Sequence, residues 1–491
     1  MKILVTNLAG IKKENGEIKH FAKAGSRWPM IIGKTKTVDY YPFPFWLAYT
    51  SSLLKRDTPF KIKGLDGVVL DLDAKSYLDL VKDFKPDILI TELTTISIKD
   101  DLEILKTVKK ETKTKVVLAG NFPTVKDYQL LRLEFIDYIL RGEYEITAKE
   151  LIIALYEKGP LENVEGLSYK IKNKIFRNKE RPLLKNLDEL PFPDREDFPA
   201  TLYPDFTIYS PSISLIASRG CPANCVYCQE RHILYASPLY RKRDPKKVVD
   251  EMIYCKEKFG ARQFYFDDQS FVVDKNYTKA ICEEIIKRNL KVPWTCMGDA
   301  MFTDEETIDL MAKAGCIGMK FGVETSNQRI LKIIGKPLNP EKAKEVVKWC
   351  KKRKIRTHAT FMIGLPTMRK KDVLNDMKYL KELKPTTAQV AIATPYPGTP
   401  FYKWAKKNNY LITFDLSKYN GQGEAVISYP YFKKDEIELL YKIFLKKVSR
   451  GKLIQFLLSP ISSFSIMKEL LKRKGLKSLI NSIFTVIKRT I

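Results

Sequence analysis

The chain has 491 residues, enough for two or three domains, and 44% of them are hydrophobic, which supports real cores. Its 86 basic residues face 58 acidic ones, a formal net charge of +28; an excess unmatched by Glu and Asp favours an anionic partner, whether nucleic acid, membrane phosphates or an acidic substrate. No run of about 18 apolar residues is present, so no membrane-spanning helix is expected, and none of the eight cysteines precedes Cys221, which argues against a disulfide-stapled secreted domain.

The N-terminus, Met1-Lys2-Ile3-Leu4-Val5-Thr6, reads as a strand rather than a signal peptide. Residues 1–158 then alternate strand and helix. An apolar, helical segment covers 41–54. Val68-Val69-Leu70, Ile88-Leu89-Ile90, Val116-Val117-Leu118-Ala119-Gly120 and Tyr138-Ile139-Leu140 read as further strands. Amphipathic helices over 102–108 and 146–155 separate some of them. This alternation predicts a doubly wound parallel sheet, which takes ligands at the carboxyl ends of its strands. Residues 159–212 read as a linker: a short hairpin at Gly166-Leu167-Ser168-Tyr169 and Lys174-Ile175-Phe176, then the extended strip Leu187-Asp188-Glu189-Leu190-Pro191-Phe192-Pro193-Asp194.

The chain is organised around a cysteine loop near its middle. A buried strand, Ile213-Ser214-Leu215-Ile216-Ala217, runs into Ser218-Arg219-Gly220-Cys221-Pro222-Ala223-Asn224-Cys225-Val226-Tyr227-Cys228, where three cysteines stand in the spacing C-x3-C-x2-C. Three soft sulfur donors on one loop suit zinc or an iron–sulfur centre. Zinc wants a fourth Cys or His, for which His232 is at hand. A four-iron cluster fits better, with one iron left open for chemistry. Cys255, Cys282, Cys296, Cys316 and Cys350 are scattered and read as small buried residues of a reducing compartment. Beyond the loop, helices over 247–259, 276–288, 304–314, 341–352 and 370–383 alternate with strands over 263–266, 294–296, 317–323, 357–363 and 388–393. With the first strand this makes six strand–helix units. Asp267, Asp268, Glu324 and Thr394 end strands, the position that carries active sites in parallel barrels. The competing reading of a loop carboxylate is a cap on the next helix. His358 and His232 read as satisfied structural histidines.

The cysteine loop, with Tyr227 just before its last cysteine, resembles the signature of the radical S-adenosylmethionine (radical SAM) superfamily. The six-unit partial barrel agrees independently. The resemblance implies a 4Fe-4S cluster on Cys221, Cys225 and Cys228, with the open iron chelating S-adenosylmethionine (SAM). Reductive cleavage then gives a 5′-deoxyadenosyl radical that abstracts hydrogen from an unactivated carbon. It also implies SAM contacts at Tyr227, Asp267, Asp268, Glu324 and Gly364, the last in Gly364-Leu365-Pro366. Tyr396-Pro397-Gly398-Thr399-Pro400 closes the barrel in the same family. The N-terminal layout resembles the cobalamin-binding domain of one large radical SAM class. The matching stretches lie at 42–49, at Lys85-Pro86-Asp87, at Ala119-Gly120-Asn121-Phe122-Pro123-Thr124 and at Arg141-Gly142-Glu143-Tyr144-Glu145. The Asp-x-His-x-x-Gly motif that supplies a cobalt-ligating histidine elsewhere is absent, and His20 lacks that context.

Residues 406–491 read as a helical extension, with one amphipathic helix over 432–447. Residues 451–491 combine Lys452, Lys468, Lys472, Arg473, Lys474, Lys477, Lys488 and Arg489 with an apolar stripe at Leu476, Leu479, Ile480, Ile483, Phe484, Ile487 and Ile491. Such a segment lies on an anionic membrane surface or packs on the barrel. The expected architecture is therefore α/β: a cobalamin-binding-like domain over 1–158, a linker over 159–212, a radical SAM core over 213–405 and a basic amphipathic extension over 406–491. The expected function is cobalamin-dependent methylation, or carbon–carbon bond formation or cyclisation, on an apolar, lipid-like substrate. A reductase or ferredoxin would supply electrons, in the cytoplasm at the inner face of the membrane. The alternatives are a radical SAM enzyme whose N-terminal domain is a cofactor-free lid, and an iron–sulfur protein that binds nucleic acid, which the strand-end carboxylates disfavour.

Overall fold

The computed structural model describes residues 1–14, 17–23, 30–32, 41–203 and 208–458. In the first sheet, the strands Lys2–Asn7, Lys61–Asp66, Ile88–Glu92, Lys115–Ala119 and Tyr138–Leu140 lie parallel. Across the sheet they run in the order second, first, third, fourth, fifth. The order reverses beside the first strand, and at such a switch point a crevice opens at the carboxyl ends. Alternation along Lys2–Asn7 explains the layering. Ile3 and Val5 pack with the helices Phe45–Asp57 and Glu145–Glu157 on one face. Leu4 packs on the other with Ala74–Phe84 and Ile98–Glu111.

The sequence expectation for the second strand is corrected. It lies at Lys61–Asp66, and Val68 and Val69 are buried in the turn after it. This strand is the sheet's edge, so its first residues tolerate solvent and lysines. An antiparallel ribbon of Ile11–Glu14, Glu17–Ala22 and Met30–Ile32 was not foreseen. The sequence carried one signal for it, the turn dipeptide Asn15-Gly16, but its Lys- and Glu-rich flanks are not β-prone. The hairpin Leu167–Ile171 and Lys174–Arg177 pairs antiparallel with Tyr138–Leu140 and extends the first sheet to seven strands.

The second sheet has six parallel strands in sequence order: Ser212–Leu215, Gln263–Phe266, Trp294–Met297, Cys316–Glu324, Arg356–Ile363 and Thr387–Ile392. The helices Pro245–Phe259, Lys275–Lys287, Glu305–Lys313 and Pro340–Lys352 start where Asp244, Asp274, Asp304 and Asn339 accept their first free amides. The last strand is edged by a loop, Ile392 N donating to Gly421 O at 2.8 Å, and backed by the helix Lys434–Leu458. No helix among the described residues is long and apolar enough to cross a membrane. The basic apolar stripe expected over 451–491 lies, from residue 459, outside the described residues.

Candidate active site

The cysteine loop is held from three sides. Before it, Ser218–Arg219 pairs with Arg241–Lys242. Gly220 stands at φ +95°, and a Cβ there would lie 1.9 Å from the Leu239 carbonyl oxygen, so only glycine lets the chain turn. Beneath it, the fully buried Asp268 accepts from the Ser218 amide at 2.5 Å and from the Ser218 hydroxyl. Above it lies the turn after Gln328–Ile333: Val226 N donates to Ile334 O at 2.9 Å, and a Cβ on Gly335 would meet Asn224 O at 2.3 Å. These contacts aim the loop at the mouth of the barrel.

Cys221, Cys225, Tyr227 and Cys228 all line one cavity, with about 1330 Å³ of empty space that opens in part to solvent. All three cysteines are free thiols. Burial raises their pKa values, that of Cys225 to about 11, so without a metal they are neutral. Among the described residues no three Cys, His, Asp or Glu side chains stand grouped as a ready metal site. His232 is bonded through Nε2 to the Cys225 carbonyl at 3.1 Å and is not among the residues lining the cavity. Three soft donors facing one cavity, with no fourth, fit a four-iron cluster that keeps one iron open.

Glu324 also lines the cavity. Its backbone is left-handed at φ +63°, and strand pairing slips by one residue between Gly322 and Glu324. The carboxylate folds back over Gly322, where a Cβ would sit 2.0 Å from Oε1. A strained bulge beside a cavity re-aims a side chain at a stated place. Burial lifts the Glu324 pKa to about 7, against the pull of Lys336 and the Tyr227 hydroxyl. Lys336 and Asp299, neither singled out from sequence, form a buried ion pair at 2.5 Å on the same wall. Burial works against the Lys336 charge, but Asp299, Cys225 and Glu324 outweigh it and raise its pKa. Spacing gave no signal for this pair, since the two residues are brought together only by the turn after Gly335.

The other sequence candidates are placed elsewhere. Asp268 supports the backbone at Ser218, and Asp267, whose amide bonds to Leu215 O, is not among the lining residues; Gln269 and Ser270 take that wall. Gly364, at φ +86°, accepts from the Tyr429 hydroxyl at 2.8 Å and packs against Ile427 and Ile437, also off the cavity. The strand-end position was legible, but which strand-end side chain turns inward is decided by the loop beyond each strand.

The opposite wall comes from the first sheet. Trp46, Glu92, Gly120 and Asn121 line the same cavity, at or beside the carboxyl ends of its strands. Trp46 Nε1 and Asn121 Oδ1 have no hydrogen-bond partner, the kind of unpaired donor and acceptor that an amide-rimmed ligand such as a corrin would satisfy. Glu92 is partly buried, accepts from Tyr144 Oη at 2.8 Å, and is lifted by desolvation to a pKa of about 7. His20 is buried against Tyr41 at 3.4 Å and Asp71 at 3.3 Å, off the cavity.

The segment Glu143-Tyr144-Glu145 ties the two walls together. Tyr144 holds Glu92, while Arg219, next to the cysteine loop, pairs with Glu143 at 3.0 Å and Glu145 at 2.7 Å. Arg241 also pairs with Glu143, at 2.6 Å. Arg219 stands over the rings of Tyr49 and Trp46 at 5.0 and 5.8 Å. Burial would raise both carboxyl pKa values; at Glu143 the two arginines prevail and lower it, whereas at Glu145 burial prevails.

The Radical SAM superfamily model matches residues 215–380. Over 414 residues the chain is 31% identical to an uncharacterized methyltransferase of Pyrococcus horikoshii, covering 84% of this chain and 89% of the relative. Over 392 residues it is 29% identical to the anaerobic magnesium-protoporphyrin IX monomethyl ester cyclase of Rubrivivax gelatinosus, covering 77% and 68%. Among solved structures it is similar in fold to the radical SAM methyltransferase TsrM of Kitasatospora setae, solved with cobalamin and a 4Fe-4S cluster, at a TM-score of 0.65 and 18% identity over 84% of this chain and 75% of that one. It is likewise similar to the cobalamin-dependent SAM radical enzyme OxsB, solved with aqua-cobalamin and SAM, at a TM-score of 0.69 and 15% identity over 100% and 75%.

Proposed function

This chain belongs to the radical SAM superfamily, and from that premise we propose that it is a cobalamin-dependent methylase acting on an unactivated carbon of a small molecule. We read residues 1–158 as the cobalamin-binding domain and 213–405 as the catalytic core. One observation carries the reading: a single cavity is walled on one side by the three cysteines and on the other by the strand ends of the doubly wound sheet. When bound, the cluster would supply the electron that cleaves SAM, and cobalamin would supply a methyl group.

The chain's own residues do the rest. Cys221, Cys225 and Cys228 would ligate the cluster. Glu324, fixed by its bulge and held by Tyr227, presents a hydrogen-bonding carboxyl to SAM, and Lys336 presents a cation beside it, steadied by Asp299. Arg219 fixes the cysteine loop against the first sheet, so that the two walls keep their spacing. Methylation is supported over cyclisation by the methyltransferase of Pyrococcus horikoshii, of which the chain covers 89%.

The test is product analysis by anaerobic, reconstituted enzyme supplied with hydroxocobalamin and a reductant. A SAM-fed methylase leaves 5′-deoxyadenosine and S-adenosylhomocysteine together, whereas a cyclase leaves no S-adenosylhomocysteine. Equilibrium dialysis of hydroxocobalamin separates this reading from a cofactor-free lid: no binding by folded, cluster-loaded protein would favour the lid. A membrane-surface substrate is supported by the basic, apolar stripe of residues 451–491 alone.

A further inference from the structure

A groove with about 810 Å³ of empty space, open to solvent, lies beyond the carboxyl ends of the fourth and fifth barrel strands. It sits between the starts of the helices Gln328–Ile333 and Lys370–Leu383 and shares no lining residue with the cysteine cavity. Arg329, Arg369 and Lys371 line it, with Asp372 as the one acid. Arg288 and Arg353, at the ends of two other barrel helices, pair with acids. Arg329, Arg369 and Lys371 form no ion pair among the described residues. Asp372 does not neutralise them. It is 2% exposed, and its two oxygens are taken by Asn327 Nδ2 at 2.7 Å and the Arg369 amide at 2.8 Å. The groove keeps an excess of two positive charges.

The two arginines are held in place. Arg329 donates through Nη1 to the Thr367 hydroxyl at 3.0 Å and through Nη2 to the Thr367 carbonyl at 3.3 Å. Two of its five N–H groups are used so, and the others remain for a ligand. Thr367 itself stands at φ +64°, an outlier for a β-branched residue, and Arg329 braces it there. Arg369 lies over the Tyr431 ring at 5.6 Å. Burial raises the Tyr431 pKa, and the Thr367 amide, Arg369 and Arg329 pull against it, so both guanidinium groups converge on one side chain. Donors ordered before a ligand arrives bind it with less entropy to lose.

We propose that this groove binds a phosphate group carried as a monoester. A monoester dianion matches the excess of two positive charges, and its three terminal oxygens can accept from both guanidinium forks and from Lys371 at once. A carboxylate has one charge and two oxygens, and leaves one fork without a partner. A free phosphorylated metabolite and a lipid phosphomonoester present the same chemistry. The site is independent of the radical SAM reading of the neighbouring cavity.

The test titrates inorganic phosphate and acetate calorimetrically, at pH 8 and low salt, into anaerobically reconstituted enzyme with SAM present to fill the cysteine cavity. Phosphate is expected to bind, and acetate at least about tenfold more weakly. Arg369→Gln and Arg329→Gln should each weaken phosphate about tenfold, the worth of one charge-assisted hydrogen bond. Lys247→Gln, which removes the same charge from an exposed position on Pro245–Phe259, should leave it unchanged. Arg329→Gln also unties Thr367, so Arg369→Gln, on the exposed side, carries the result if the first variant melts early. No phosphate binding by the wild type, acetate bound as tightly, affinity unaltered in the folded arginine variants, or an equal loss in Lys247→Gln would each overturn the proposal. Where phosphate binds as expected, sedimentation with phosphatidate against phosphatidylglycerol vesicles names its source. A preference for phosphatidate that Arg369→Gln abolishes assigns the groove to a lipid headgroup; no preference assigns it to a free ester.

Discussion

Replacing Arg219 by methionine tests the clamp between the two sheets. The side chain is 2% exposed, and Glu143, Glu145 and Arg241 form with it a cluster of two acids and two bases. Arg219→Met keeps the aliphatic bulk but leaves two buried carboxyl groups with one guanidinium. Removing one partner of a buried ion pair costs about 3–5 kcal/mol. Lost contact with the Tyr49 and Trp46 rings adds about 1 kcal/mol. Protonation of Glu145, which burial already favours, would return part of this, so about 4 kcal/mol remains. At about 2.1 cal/mol/K per residue, a 491-residue chain that melts as one unit has an unfolding entropy near 1 kcal/mol/K, and its midpoint falls by about 4 °C. If the first sheet melts separately, as a unit of about 200 residues, its own transition falls by roughly 9 °C. Scanning calorimetry of the metal-free protein reads either case. The double variant Arg219→Met/Glu145→Gln removes the stranded acid and should recover a good part of the loss. A fall of less than about 1 °C in the single variant, or a double variant no better than the worse single one, would refute the clamp.

Glu92 titrates from about 4.5 unfolded to about 7 folded, because burial favours its neutral form. Its contribution is therefore complete below pH 4.5 and lost as pH rises through 7, so Glu92→Gln should gain about 3 kcal/mol on the wild type between pH 4.5 and pH 8; denaturant titrations at both pH values that show no such convergence would remove Glu92 from the buried wall. Gly335→Ala places a methyl against the Asn224 carbonyl at a positive φ, and iron analysis after reconstitution should show poor cluster loading in a chain that still melts cooperatively. Cys225→Ala should lose the electron paramagnetic resonance signal of the reduced cluster, and wild-type-like signals in alanine variants of all three cysteines would sink the ligand assignment. Flotation with anionic vesicles should be lost on truncation before Gly451; binding that survives truncation would locate the membrane contact elsewhere.

Local pattern alone determined much of this protein. The cysteine spacing names the chemistry because three thiols on one loop need no tertiary information to be neighbours. The helices after Asp244, Asp274, Asp304 and Asn339 begin within a residue or two of where the alternating pattern puts them, because a helix start is fixed locally by a cap that acts over three residues. The parallel strands of the barrel were readable for the same reason, being short apolar runs between amphipathic helices. Tertiary structure decided what faces what. Asp268 and Glu324 both end barrel strands, yet one braces Ser218 and the other enters the cavity, because a one-residue slip in pairing at Gly322 reverses a side chain's direction. Lys336 finds Asp299, and Glu143 finds Arg219 and Arg241, across separations of 37, 76 and 98 residues that no sequence period encodes. Thr360 and Gln389 come side by side only because they fall in register on adjacent strands, and register is a property of the sheet rather than of either strand.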